Sequence, residues 1–268
     1  MSGYAAPVSA THPPRQPRRG IAIIPSLFTV TNLSLGYFAV INTLAGTAPA
    51  FDLAAKAIGL AILCDSLDGR IARATGTTSE FGKQFDSLAD VISFGIAPAF
   101  LAFTWGSRTF ATHEPGLYRN VYWFGIAVTA IFVTACAWRL ARFNIQGMAP
   151  GTESKYFVGM PTPGAAGVIA ATIHALKEPV QDWRFSVVWM IVVGGLAWLM
   201  TSTIRFYGFK NINLTRRRSS MLVIGLVVLL WLIIAYSEWV LIGLALAYMV
   251  SGVTVHLVRY FNRPRTAA

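Results

Sequence analysis

The chain has 268 residues, of which 55% are hydrophobic and only 12% charged, with a formal net charge of +11. A soluble domain averages about 25% charged residues, so this composition excludes an ordinary soluble fold and points to an integral membrane protein. Two cysteines, Cys64 and Cys136, lie in apolar sequence, and four histidines are scattered; neither set suggests a disulfide framework or a Cys/His metal site.

In chain order, residues 1–20 are polar, Pro-rich and without an apolar core. They read as a disordered tail rather than a signal peptide. Residues 21–258 read as one transmembrane domain of about eight helices, and 259–268 as a short tail. At about 20 residues per span, the predicted segments are 24–44, 52–73, 86–106, 121–141, 161–176, 185–204, 220–236 and 239–257. A tight turn over Tyr236, Ser237, Glu238 and Trp239 is expected between the last two. Gly159 to Gly164 reads as a kinked start of the fifth span. Trp105, Tyr118, Trp183 and Trp239 read as interfacial anchors.

Seventeen of the 22 Lys and Arg fall on one set of ends, including Arg15, Arg70, Arg73, Lys83, Arg139, Arg142, Arg205 and Arg216 to Arg218. The other ends hold Lys56, Arg108, Arg119, Lys177 and Arg184. The positive-inside rule then puts both termini in the cytoplasm. Arg216 to Arg218 read as a membrane anchor, not as a nucleic-acid contact.

Four aspartates stand inside this apolar sequence: Asp65 and Asp68 in AILCDSLDGRIAR, Asp86 and Asp90 in FGKQFDSLADVISFG. A carboxylate at a helix centre costs about 2.5–3.5 kcal/mol on insertion scales. Spacings of i,i+3 and i,i+4 put each pair on one helix face, and Gly76 and Gly82 suit a bend between two helices. Four converging carboxylates repel one another unless a cation neutralises them. Carboxylate oxygens suit divalent Mg²⁺ or Mn²⁺, with a phosphate completing the shell. The cluster opens to the cytoplasm in the orientation above.

Written out, the region is Asp65-x2-Asp68-Gly69-x2-Ala72-Arg73-x8-Gly82-x3-Asp86-x3-Asp90. It resembles the signature of the CDP-alcohol phosphatidyltransferases, matching all eight specified positions. The resemblance implies two metal ions held by Asp65, Asp68, Asp86 and Asp90, with Asp90 also taking the proton from the attacking hydroxyl. It implies CDP-lipid contacts from Gly69, Gly82 and Arg73. Their alternatives are packing or turn glycines and one more cytoplasmic anchor. Thr29 and Asn32 in the first span are candidates for cytidine contact or for helix packing.

Further segments, IPSLFTVTNLSLGYF, FDSLADVISFGIAPAF, WRLARFN and FVGMPTPGAAG, are similar to the serine-using membrane members of that family. Ser26 departs from the expected asparagine. This similarity implies CDP-diacylglycerol and L-serine as substrates and a homodimer in the cytoplasmic membrane. Arg139, Arg142 and Asn144 are candidates for the serine carboxylate or a substrate phosphate. Glycerol phosphate, inositol or choline acceptors and an archaeal-type lipid donor remain alternatives. A membrane prenyltransferase would separate its two acidic motifs widely. A cation transporter would need no glycines and arginine at fixed offsets.

Overall fold

A computed structural model of the chain describes residues 23–75, 79–108, 115–147, 156–207 and 236–261. These form α1 (Ile23–Leu44), α2 (Ala48–Thr75), α3 (Glu80–Asp90), α4 (Ala97–Phe103), α5 (Pro115–Gly147), α6 (Thr162–Leu176), α7 (Trp183–Thr201) and α8 (Ser237–Phe261). A wide π-helical segment, Val91–Ile96, joins α3 and α4 into one continuous rod, and a second, Thr104–Arg108, extends it past α4. Two three-residue strands, β1 (Tyr156–Val158) and β2 (Arg205–Tyr207), pair antiparallel with Phe157 opposite Phe206.

Seven of the eight predicted helices are therefore present, and the segment 220–236 lies, but for Tyr236, outside the described residues. The all-α expectation holds for the bundle, to which the described residues add one short ladder, β1–β2, with a strand on either side of α6 and α7. The expected turn at Tyr236 to Trp239 is corrected: Ser237, Glu238 and Trp239 are already helical and open α8. Among the described residues, four helical stretches are long and apolar enough to cross a membrane: Leu27–Leu44, Glu80–Ser107, Gly116–Ile145 and Trp183–Thr201. α6 and the first part of α8 are shorter apolar helices. α2 is 28 residues long but carries Asp52, Lys56, Asp65, Asp68 and Arg70.

The bundle is apolar on both sides. Phe51, Ala54, Ile58 and Ala61 on α2 point inward at helical spacing. Leu53, Leu60, Leu63 and Leu67 on the same helix point outward. Trp138 is 67% exposed and Trp198 64%, far more apolar surface than a soluble protein shows in one girdle. Lipid solvates such a surface as well as a core does, so association relies on close packing. The interior is accordingly rich in alanine, with Ala54, Ala57, Ala97, Ala102, Ala165, Ala166 and Ala197 all buried. At Gly36 of α1 a Cβ would collide with the Ser93 side chain and come within 2.8 Å of its Cα, so glycine lets α1 lie directly on the Val91–Ile96 turn.

Pro98 sits inside the α3–α4 rod. A proline in a helix interior removes one amide donor and clashes with the preceding turn. The π turn just before it widens the backbone and takes up that clash, with the Ala97 amide donating to Ile92 O. Such wide turns concentrate at functional sites, and this one begins directly after Asp90.

Two ends of the bundle carry polar ties. At one end lie the four aspartates. At the other, the His174 ring of α6 bonds Asp52 near the start of α2 through Nδ1, and Ser237 Oγ of α8 through Nε2 at 2.9 Å. Lys56 Nζ reaches the same Asp52 at 2.7 Å. Lys177, just past α6, pairs with Glu238; the hydrogen bond to that carboxylate raises the lysine above its ordinary range.

Candidate active site

α2 and the α3 rod run side by side against α1 and bring their carboxylates together. Oxygens of Asp65, Asp86 and Asp90 lie within 4.8 Å of one another. Asp65 and Asp86 are half-buried, and Asp90 is 8% exposed. Asp68 is also buried and lies outside the 4.8 Å group but within electrostatic reach of Asp86. It accepts a hydrogen bond from the Thr29 hydroxyl of α1.

α1 also supplies Asn32, whose Nδ2 donates to Asp90 Oδ1 at 3.1 Å. Its backbone carbonyl accepts from Ser93 Oγ at 2.8 Å. The side-chain Oδ1 of Asn32 is buried and has no partner among the described residues. Thr29 and Asn32, singled out in the sequence for cytidine contact or packing, thus both hold aspartates.

A divalent cation fits this donor set. Among the described residues, no Lys or Arg forms an ion pair with Asp68, Asp86 or Asp90. Three carboxylates at such separation repel strongly in a low-dielectric setting. The ligands are all hard oxygens, with the unpartnered Asn32 Oδ1 beside them, and this suits Mg²⁺ or Mn²⁺ over softer metals.

The glycines and the arginine of the signature divide. Gly69 lies half-buried in α2, one position past Asp68. The Gly82 amide donates to Ser79 Oγ at 3.0 Å, closing the N-cap of α3. That contact belongs to helix capping. Arg73 lies on α2, with its side chain outside the described residues.

The three acceptor candidates also divide. Arg139 of α5 turns inward, its Nε buried and without a partner among the described residues. It lies within electrostatic reach of Asp90, Tyr248 and Arg142. Arg142 is half-buried. Asn144 Nδ2 donates to Ser87 Oγ at 2.9 Å, which ties α5 to α3 beside Asp86.

The sequence reading missed Ser79, Ser87, Ser93 and Tyr248. Ser79 carried a signal, since a hydroxyl residue directly before an acidic first residue, Glu80, is an N-cap pattern. The others depend on contacts between helices and have no local signature.

Groups that orient metal ligands commonly matter 10–100-fold in affinity or activity. Asn32→Leu keeps the volume but removes the donor to Asp90, and a loss of about 10–100-fold in turnover is expected. Wild-type turnover in this variant would show that the Asn32–Asp90 contact is incidental.

A protein-family model described as CDP-alcohol phosphatidyltransferase matches residues 22–201. The chain is 35% identical over 204 residues to a CDP-diacylglycerol–serine O-phosphatidyltransferase of Helicobacter pylori, covering 74% of this chain and 77% of that one. The enzyme of the same name from Methanocaldococcus jannaschii is 32% identical over 194 residues, covering 72% and 78%. An archaetidylserine synthase of Methanothermobacter thermautotrophicus is 36% identical over 150 residues, covering 55% and 56%.

Proposed function

The chain belongs to the CDP-alcohol phosphatidyltransferase family, and from that premise we propose that it transfers the phosphatidyl group of CDP-diacylglycerol to the hydroxyl of L-serine, giving phosphatidylserine and CMP. The observation that carries the reading is the trio Asp65, Asp86 and Asp90, whose carboxylate oxygens lie within 4.8 Å of one another, with no ion pair to Asp86 or Asp90 among the described residues. Serine is supported by the relatives' names: two name CDP-diacylglycerol and the third archaetidylserine, and all three name serine.

In this reading Asp65, Asp68, Asp86 and Asp90 hold two divalent ions. Bound there, such ions would supply charge neutralisation to the diphosphate and to the departing CMP. Thr29 and Asn32 fix the rotamers of Asp68 and Asp90. Asp90 accepts the proton of the serine hydroxyl as its oxygen bonds to the lipid-bearing phosphorus. The bond from that phosphorus to the bridging oxygen breaks, and CMP leaves with the oxygen. Gly69, Gly82 and Arg73 lie along the CDP-lipid. Arg139 offers the acceptor a buried, planar donor fork, with Arg142 and Asn144 beside it.

Eight spans over 21–258, both termini and the aspartate end in the cytoplasm, and a homodimer in the cytoplasmic membrane complete the proposal. The charge bias of the loops supports the orientation.

The test is purified protein given CDP-diacylglycerol or its ether-lipid counterpart with a panel of labelled alcohols. Label from serine, and not from glycerol phosphate, inositol or choline, is expected in the lipid phase with stoichiometric CMP. Incorporation of another alcohol in preference to serine would replace the acceptor. For Arg139→Ala, losing a charge-assisted contact of about 1.5–3 kcal/mol raises the KM for serine roughly 10- to 150-fold. The KM for CDP-diacylglycerol should move much less; equal rises in both would put Arg139 on a lipid phosphate.

A further inference from the structure

The end of the bundle away from the aspartates carries a groove of about 390 Å³ that the transfer reaction does not use. That size falls within the range of small-ligand sites. It lies where the second π segment, the loop after α6 and the start of α7 meet. Its floor is two buried indoles, Trp105 and Trp189, set edge to face with ring centres 5.2 Å apart. Both indole N–H groups already bond to backbone. Trp105 Nε1 donates to Lys177 O at 3.3 Å, and Trp189 Nε1 to Ala102 O at 3.0 Å. The floor therefore offers only carbon to an occupant. It is also held in place. A Cβ at Gly106 would come within 2.1 Å of Trp189 Cδ1, and the Val180 amide donates to Trp105 O at 3.1 Å.

One wall of the groove opens sideways. Phe185, Val188 and Val192 recur at helical spacing along α7, line the groove and are exposed. They belong to a stretch long and apolar enough to cross a membrane, and Trp105 belongs to another. In a bilayer this side faces hydrocarbon. The mouth is polar. Glu178 lines it, is exposed and forms no ion pair among the described residues. The neighbouring Lys177 pairs with Glu238 instead. Arg184, one turn before Val188, lies over the Trp183 ring at 5.7 Å and forms no ion pair among the described residues either.

We propose that this groove seats a phospholipid of the leaflet opposite the aspartates, with one acyl chain on the Trp105–Trp189 floor and a zwitterionic headgroup between Glu178 and Arg184. The headgroup cation faces the carboxylate and its phosphate faces the guanidinium. A lipid chain gains nothing from leaving water here, because the bilayer is as apolar as the groove. Selectivity comes from the rigid shape of the floor and from the two charges at the mouth. An anionic lipid would leave Glu178 unmatched. An apolar helix of a second copy would leave both charges unmatched.

The test uses the full chain in vesicles of equal parts phosphatidylcholine and phosphatidylglycerol, with a trace of either lipid carrying a diazirine on its acyl chain. Irradiation is followed by peptide mass spectrometry. The phosphatidylcholine probe should label Trp105 and the stretch from Phe185 to Val192 about fivefold more than Phe38, Ile41 and Leu44, exposed residues at the same end of α1. The phosphatidylglycerol probe should label the groove about threefold less, the scale of one exposed ion pair. Val188→Trp fills the groove and should bring labelling there down to the α1 level; Val192→Trp replaces it if that variant does not fold. Glu178→Gln should erase the preference between the probes. Equal labelling of the groove and α1 would mean annular lipid only and overturns the site. Labelling of the groove by both probes alike overturns the headgroup assignment. Labelling that falls as the protein-to-lipid ratio rises gives the groove to a second copy and overturns the lipid.

Discussion

Asp90→Asn is expected to lower turnover by about 10²- to 10⁴-fold, the usual contribution of a positioned base. Asparagine has the same shape, and its Oδ1 still accepts from Asn32 Nδ2 as Asp90 does now at 3.1 Å. The helix contact, the π turn and the fold should survive. What disappears is a group able to take the hydroxyl proton and one negative charge in the cluster. These two losses separate experimentally. Loss of the base persists at saturating metal and leaves CDP-lipid binding largely intact. Loss of charge alone is recovered as the metal concentration rises. Asp65→Asn and Asp86→Asn should behave the second way, demanding more metal. Near-wild-type turnover of Asp90→Asn at saturating metal would remove Asp90 from the role of base.

Chelation should abolish activity, and Mg²⁺ or Mn²⁺ should restore it. The physical reason is the crowding of three carboxylates within 4.8 Å, whose mutual repulsion a bound cation relieves. The same repulsion gives a readout independent of turnover. A ligand that binds the folded state alone stabilises it by about 2.7 kcal/mol at a hundredfold excess over its Kd. Metal should therefore raise the unfolding temperature of the wild type, and by less in Asp86→Asn. Full activity in excess chelator would sink the metal assignment.

The sequence made the aspartates legible because their cost in apolar surroundings demands a reason, and spacing alone put each pair on a face. The helices were legible for a similar reason, since apolar runs of bilayer length leave few alternatives. What stayed hidden depends on tertiary contact. Thr29 and Asn32 stand three apart on one helix, but nothing local says that each reaches a different aspartate on a different helix. Gly82 matched a nucleotide-binding signature, yet its amide caps its own helix through Ser79. The short β1–β2 ladder escaped because three-residue strands leave too little pattern to detect.

The far-end tie of Asp52, His174 and Ser237 joins α2, α6 and α8, the helices that carry Asp65, Thr162 and Tyr248 to the opposite end. At 1.5 Å per residue the three reaches, from Asp52 to Asp65, His174 to Thr162 and Ser237 to Tyr248, are each about 16–20 Å. They behave as levers of nearly equal length on one pivot. A tilt of about 5° at the pivot displaces their working ends by roughly 1.5 Å over that length. A misplacement of about 1 Å can cost 10²-fold in rate. The imidazole sits where a small change in helix tilt would move groups it never touches, so the far end of the bundle bears on the alignment of the near one.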